Sequence, residues 1–131
     1  MTNGAHLTDE EFRQQTISAG GASRHVMTNI VPDRGYMVGG ARDLSDQPFP
    51  EIKRPVDSFT VDDIRHHARE IRDRFKGSPT QVHQGAWVEG DHVVLDASEQ
   101  IRTKKAALTT AKQRGERAIY DIKGQRDIPT K

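Results

Sequence analysis

The stretch Gly85-Ala-Trp-Val-Glu-Gly-Asp-His-Val-Val-Leu-Asp-Ala-Ser98 decides the fold, because it joins the only tryptophan of the chain to the pattern of a β-hairpin. Residues 81–88 and 92–95 carry two valines each, and residues 89–91 between them contain a glycine. Two such runs around a short glycine-containing loop are typical of a hairpin. The sequence therefore predicts antiparallel strands over 81–88 and 92–95.

Three residues of this hairpin have structural rather than chemical interpretations. We expect Trp87 and Leu95 to pack in the core, because both are large apolar residues on predicted strands. Asp96 follows the second predicted strand, and we expect it to make local hydrogen bonds to the next turn. None of the three then commits the protein to a reaction.

The clearest helix precedes the hairpin. Thr60 is a typical N-cap, and Phe59 before it can pack on Ile64 as a hydrophobic staple. Gly77 and Pro79 predict the end of this helix. Its apolar stripe, at spacings of three and four, consists of Val61, Ile64, Ala68, Ile71 and Phe75.

The remaining elements complete an α+β fold. A second helix is predicted over 103–114, and short strands over 35–40 and 118–122. The order strand, helix, hairpin, helix, strand predicts a small antiparallel sheet with two helices on one face and an extended N-terminal arm.

The predicted division of the chain has three parts. Residues 1–34 form an N-terminal helix, begun by a capping box at 8–11, and a flexible or partner-bound arm. Residues 35–128 form the α+β domain, in which four prolines within 24–58 favour an extended connector over 41–58. Residues 129–131 form a tail.

Composition bounds the class of protein. The 131 residues suit one domain, and 33% hydrophobic against 30% charged residues indicates a small core. Cysteine is absent, which excludes disulfides, thiolate metal sites and a cysteine nucleophile. No apolar run is long enough to span a bilayer and the start lacks a signal-peptide pattern, so we expect a protein that is neither secreted nor transmembrane.

Charge is distributed unevenly along the chain. From residue 99 to the end, nine Lys and Arg face four Asp and Glu, which gives +5 and leaves −4 for the rest of a chain of net charge +1. Such an excess of basic residues has two explanations. The commoner one is a helix face exposed to solvent, and the other is a surface that binds an acidic partner. The residues of the second helix that could follow a phosphate backbone are Lys104, Lys105, Lys112 and Arg114.

The histidines and hydroxyls carry no established catalytic spacing. His66 and His67 are adjacent on a helix and point about 100° apart, so they do not form a same-face metal pair. His83 and His92 lie on the two arms of the hairpin, where Asp96 could join them, but no known ligand spacing supports that site. We therefore expect no metal, no cofactor and no catalytic residues.

Several motifs together resemble a group of small uncharacterised proteins of actinobacterial phages and prophages. The shared pattern, in order, is Gly-[Gly/Ala]-Trp-Val, Gly-x-Val-x-Leu-Asp and Ala-Ile-[Tyr/Phe]-Asp. This chain has the first at 85–88 and the third at 118–121, and its residues 90–96, Gly-Asp-His-Val-Val-Leu-Asp, are one residue longer than the second. This chain has Ala86 where a second glycine is common in the group. The resemblance covers about residues 35–128; it implies a phage origin and carries no activity.

Three functions follow as hypotheses. The first is a non-enzymatic phage-encoded protein that binds another protein, either as a minor virion component bound to virion subunits or as a factor docking on a host protein, in the virion or the host cytoplasm. The alternative is a nucleic-acid-binding accessory protein that uses the basic C-terminal helix. The third is an enzyme built on Asp96, His83 and His92.

Overall fold

A threonine caps each of the three α-helices in the computed structural model, which describes residues 5–78 and 81–131. In each case the threonine hydroxyl accepts a hydrogen bond from the backbone N–H of the third helical residue, which satisfies an amide that has no partner inside the helix. The helices are α1 (Asp9–Ala19), α2 (Val61–Arg74) and α3 (Lys104–Arg114).

The predicted helices agree closely with these bounds. Phe59 and Ile64 share one core cluster, as the predicted staple requires. Gly77 has the left-handed φ of +80° expected of a residue after a helix, and Pro79 lies outside the described residues. α3 ends at its predicted limit, Arg114, and Gly115 caps it with a left-handed φ of +73°.

All strands of the described residues belong to one antiparallel sheet of seven. The order is β1-β4-β5-β2-β6-β7, and β3 also pairs with β5, beside the part of β5 that β2 leaves unpaired. The α+β class is therefore confirmed. The strands are β1 (Gly21–His25), β2 (Tyr36–Val38), β3 (Ile52–Pro55), β4 (Val82–Glu89), β5 (His92–Ile101), β6 (Ala118–Asp121) and β7 (Arg126–Pro129).

The sheet is larger than the four strands that the sequence predicts. The connector over 41–58 contains β3 and a 3-10 turn, Val56–Ser58, and the end of the chain contains β7. β1 follows α1 directly, within the region predicted as an arm. These three strands are short and rich in polar residues, so their backbone pairing with β5, β6 and β4 forms them rather than any apolar alternation of their own.

All three helices cover the same face of the sheet. The residues of β4 and β5 that alternate toward this face include Ala86, Val93 and Leu95, which pack with Phe12 of α1 and Ile64 of α2. α3 covers the same face further along, where its buried residues are Ala107 and Ala111, and these pack against Val38 and Ile119. The opposite face, which we call the open face, carries no helix.

Two predictions for the hairpin are wrong. Trp87 is only partly buried and belongs to none of the core clusters, because the register turns it onto the open face opposite Val94. Asp96 lies in the middle of β5, since that strand continues to Ile101 rather than ending at Leu95. The expected packing of Leu95 is confirmed.

A buried polar chain ties the N-terminal helix to the sheet. Arg24 of β1, only 2% exposed, donates from Nη2 to Asp9 (2.7 Å), from Nη1 to the Leu7 carbonyl oxygen (2.9 Å) and from Nε to Gln84 Oε1 (3.0 Å). The Arg24 guanidinium also lies 4.8 Å from the centre of the Phe12 ring. Residues 7–12 are therefore held by the protein's own core.

The same series of buried hydrogen bonds determines which ring nitrogen of His67 carries the proton. Since Gln84 Oε1 accepts from Arg24, its Nε2 donates, both to the Ile64 carbonyl oxygen and to His67 Nδ1, each at 2.9 Å. His67 then carries its proton on Nε2, which has no hydrogen-bond partner within the described ranges. Burial, with a smaller electrostatic contribution from His66, Arg24 and Arg54, lowers the pKa of His67 to about 4.

Candidate functional site

A depression of about 410 Å³ opens at one end of the sheet, where β2, β5 and β6 meet. Arg34 comes from the residues before β2, Arg102 follows β5 and Lys123 lies in the turn between β6 and β7. The chain thus brings three cationic side chains from distant segments to one place. The lining residues are Arg34, Gly35, Tyr36, Arg102, Asp121 and Lys123.

Gly35 allows this convergence. Its φ of +81° is one that residues with a side chain rarely adopt, and a β-carbon there would stand 2.8 Å from the Ile101 carbonyl oxygen. Its own carbonyl oxygen accepts from the Ile122 N–H at 3.1 Å. Gly35 therefore holds the ends of β5 and β6 close together, and the adjacent Arg34 is carried into the same depression.

The depression has an excess of positive charge. Three cations and the one carboxylate of Asp121 sum to +2. Arg34 is 73% exposed and lies 3.4 Å from Asp33, so solvent screens that pair. Asp121 is largely buried, accepts a hydrogen bond from the Gly124 N–H and lies 4.0 Å from Arg126 Nε, so its charge is partly engaged within the β6–β7 turn.

The first turn of α3 extends the positive surface. Lys104 and Lys105 occupy it, both exposed, and it contains no acidic residue. The amide end of a helix carries a partial positive charge, which favours acids such as those in the first turns of α1 and α2 and disfavours lysines. Since Lys104 is two residues from Arg102, this turn adjoins the depression. We call the surface formed by Arg34, Arg102, Lys104, Lys105 and Lys123 the basic end.

Of the four basic residues predicted on the second helix, the structure brings two to the basic end. Lys104 and Lys105 are there, while Lys112 is exposed in the last turn of the helix. Arg114 has a side chain only 12% exposed and donates to Glu99 (2.5 Å) and to the Gly39 carbonyl oxygen (3.3 Å). Its guanidinium is thus engaged inside the protein.

Arg34 and Arg102 are the functional candidates that the sequence prediction lacks. Arg34 lies in a region without periodicity, and Arg102 precedes the predicted helix by one residue. The only sequence signal for their association is Gly35, whose positive φ marks a close approach of backbones but does not name the partner.

A second cluster, of carboxyl groups, lies on the open face. Asp96 stands directly opposite Gly85 in the ladder and is 7% exposed, and its carboxyl accepts no hydrogen bond within the described ranges. Burial, with a smaller contribution from the nearby Glu51 and Glu116 carboxylates, raises the pKa of Asp96 to about 7. Burial likewise raises the pKa of Glu116, which Arg114 and Arg42 oppose.

Gly39 shows how close these carboxyls are. A β-carbon at Gly39 would stand 2.7 Å from Glu116 Oε1 and 3.0 Å from Asp96 Oδ2. Both oxygens thus border the same small space beside Gly39, where repulsion by the Glu116 carboxylate helps to raise the pKa of Asp96. In the described part of the chain, no group of three or more His, Asp or Glu side chains has the geometry to hold a metal ion.

The structure does not bring the two hairpin histidines together. His83 pairs with Ser98 and His92 pairs with Glu89, six strand positions apart, which is roughly 20 Å. His83 is buried, its Nδ1 lies 3.2 Å from the Gln81 carbonyl oxygen and its ring packs on His25. Burial lowers the pKa of His83 to about 4. His92 is half exposed beside Asp91.

Comparisons with known proteins add no family to these observations. No protein-family model matches the chain, and no curated protein or solved structure is detectably similar to it. Of the helices described, none is long and apolar enough to cross a membrane.

Proposed function

We propose that this protein is a non-enzymatic binding protein whose basic end binds the phosphate backbone of nucleic acid. The observation that carries the proposal is the convergence of Arg34, Arg102 and Lys123 from three distant segments on one depression. Together with Lys104 and Lys105, these make five cations at the basic end, where one carboxylate, Asp121, lines the depression and a second, Asp33, pairs with Arg34.

The electrostatic cost of this surface supports a binding role. Like charges gathered beside the positive end of a helix repel one another and destabilise the free protein. A polyanion neutralises them and releases the counterions condensed on its own phosphates, which is the main source of affinity in binding that ignores sequence. Specific reading of bases is not part of the proposal, because Tyr36 is the only aromatic residue that lines the depression.

The test is the affinity for a labelled single-stranded oligonucleotide at low salt, measured by fluorescence anisotropy. The triple variant Arg102→Ala, Lys104→Ala, Lys105→Ala is expected to bind at least about tenfold more weakly than the wild type, because it removes up to three phosphate contacts. All three positions are exposed, so the fold is expected to be unaffected.

A matched control separates the site from the total charge. Lys53→Ala, Arg69→Ala, Lys76→Ala removes the same charge from exposed positions elsewhere, and Lys53 pairs with Val94, seven positions or roughly 24 Å from Ile101 along β5. It is expected to bind nearly as the wild type does. Equal weakening of both triple variants would contradict a localised site.

Protein–protein binding, with a phage origin, is the second candidate function. One observation favours it: in the described part of the sheet, β1 pairs only with β4 and β7 pairs only with β6, so each offers a strand edge to another chain. Mass spectrometry of purified particles of a phage that encodes the protein tests the virion role. Stoichiometric presence would support that role, and absence at such levels would contradict it.

A further inference from the structure

We infer that the depression at the basic end binds the terminal phosphate of a nucleic acid strand, and so recognises strand ends. This inference rests on the proposed binding to nucleic acid and adds a preferred position on it. It concerns Arg34, Arg102 and Lys123 rather than the lysines of α3, which contact the backbone further along.

The size of the depression selects the occupant. Its volume of about 410 Å³ lies near the lower end of the ~300–1,000 Å³ range of pockets that take small ligands. A duplex is far wider and can only lie across the rim. A phosphate with its attached nucleoside at the end of a strand can enter.

The charge of the depression selects the same occupant. Its lining residues sum to +2, counting three cations and Asp121. A phosphodiester within a strand carries one negative charge and leaves an excess, whereas a phosphomonoester carries ~1.5–2 at neutral pH and balances it. Arg102 and Arg34 can each donate two parallel hydrogen bonds to phosphate oxygens, and a terminal phosphate has three such oxygens free.

The wall of the depression suits the nucleoside. Tyr36 is partly buried and lines the depression beside Gly35, where its ring offers a face on which a terminal base can stack. Stacking accepts any base, in agreement with binding that ignores sequence. The ring is held in place on its other side, because it packs against the α3 core cluster.

Oligonucleotides of one sequence test the inference, with a 5′-phosphate, a 3′-phosphate or no terminal phosphate, and with affinity measured by competition at one fixed salt concentration. The wild type is expected to bind at least one of the phosphorylated forms about tenfold more tightly than the unphosphorylated one, which is the discrimination of one good charged contact. Which of the two ends is preferred identifies the polarity of the bound strand.

Two variants assign the preference to the depression. Arg102→Lys keeps the charge but loses the planar fork, so it is expected to lower the affinity for a phosphorylated strand more than the affinity for an unphosphorylated one, and thereby to lose most of the preference. Lys53→Ala, remote from the depression, is expected to keep the preference. Thermal unfolding of each variant verifies that the fold is retained.

The possible failures are distinguishable. Equal affinity of the wild type for phosphorylated and unphosphorylated strands, with binding that still depends on salt, overturns this inference and leaves the proposed function standing. Absence of binding to every oligonucleotide at low salt overturns both. A preference that persists unchanged in Arg102→Lys, or that is lost equally in Lys53→Ala, overturns the assignment to the depression.

Discussion

Gly85 and Asp96 stand directly opposite each other on β4 and β5, and the Asp96 carboxyl occupies the space that a side chain at Gly85 would fill. A β-carbon at Gly85 would overlap Asp96 Oδ1, while Ser98 Oγ would be 3.7 Å away. Asp96 is 7% exposed and has little room to move. Position 85 therefore has to be a glycine because the Asp96 carboxyl fills the space where a side chain would lie.

Gly85→Ala is accordingly expected to lower the free energy of unfolding by ~1–3 kcal/mol, the range for an added methyl group in a packed site. Urea denaturation measures it. In an Asp96→Ala background the same substitution is expected to cost much less, because the overlapping oxygen is gone. An equal cost in both backgrounds would show that another contact is responsible.

The pH dependence of stability separates Asp96 from the buried histidines. The pKa of Asp96 is raised to about 7 in the folded protein, from 3.8, so its contribution is fully present below pH 3.8 and is lost as the pH rises through 7. The pKa values of His67 and His83 are lowered from 6.5 to about 4, so their contribution is present above pH 6.5 and is lost as the pH falls through 4.

Asp96→Asn keeps the shape of the protonated carboxyl and removes its titration. Between pH 4 and 7 the variant is expected to gain stability relative to the wild type as the pH rises, by at most about 1.4 kcal/mol per pH unit for the one proton. Denaturation midpoints across this range measure the difference. Two parallel profiles would mean that Asp96 does not titrate in this window.

Arg24 and Arg65 contact the same carboxylate from very different surroundings. Arg24 is 2% exposed and also binds Gln84, whereas Arg65 is 52% exposed and lies 3.3 Å from Asp9. Arg24→Ala is expected to cost ~3–5 kcal/mol, because it removes the buried donor to Gln84 Oε1 and leaves Asp9 with only the exposed Arg65. Arg65→Ala is expected to cost less than ~1 kcal/mol. Similar costs in urea denaturation would contradict the buried polar chain.

The sequence predicted the helices and the hairpin because their signals are local. Thr60 directly precedes α2 and Gly77 follows its end by three residues, so both signals lie next to the helix that they delimit. The loop at 89–91 likewise joins two strands that are neighbours in sequence. β1, β3 and β7 were not predicted, since polar residues such as Lys53 and Arg54 become a strand only by pairing with β5. Trp87 was misassigned because period-two alternation does not say which face the helices cover.

The candidate site was predictable only in part. Lys104 and Lys105 are adjacent in sequence and were predicted as a basic surface. Arg34, Arg102 and Lys123 come together only when Gly35 brings the ends of three strands into contact, and pairing over such separations leaves no trace in a single sequence.

The salt dependence of binding to a single strand tests the central claim most directly. The logarithm of the association constant is expected to fall linearly with the logarithm of salt concentration, with a slope of about −0.7 for each phosphate contact. Arg102→Ala, Lys104→Ala, Lys105→Ala is expected to reduce the steepness by about 2, and Lys53→Ala, Arg69→Ala, Lys76→Ala to leave it unchanged. An equal slope in the wild type and both variants, or no binding by the wild type at low salt, would contradict a phosphate-binding basic end.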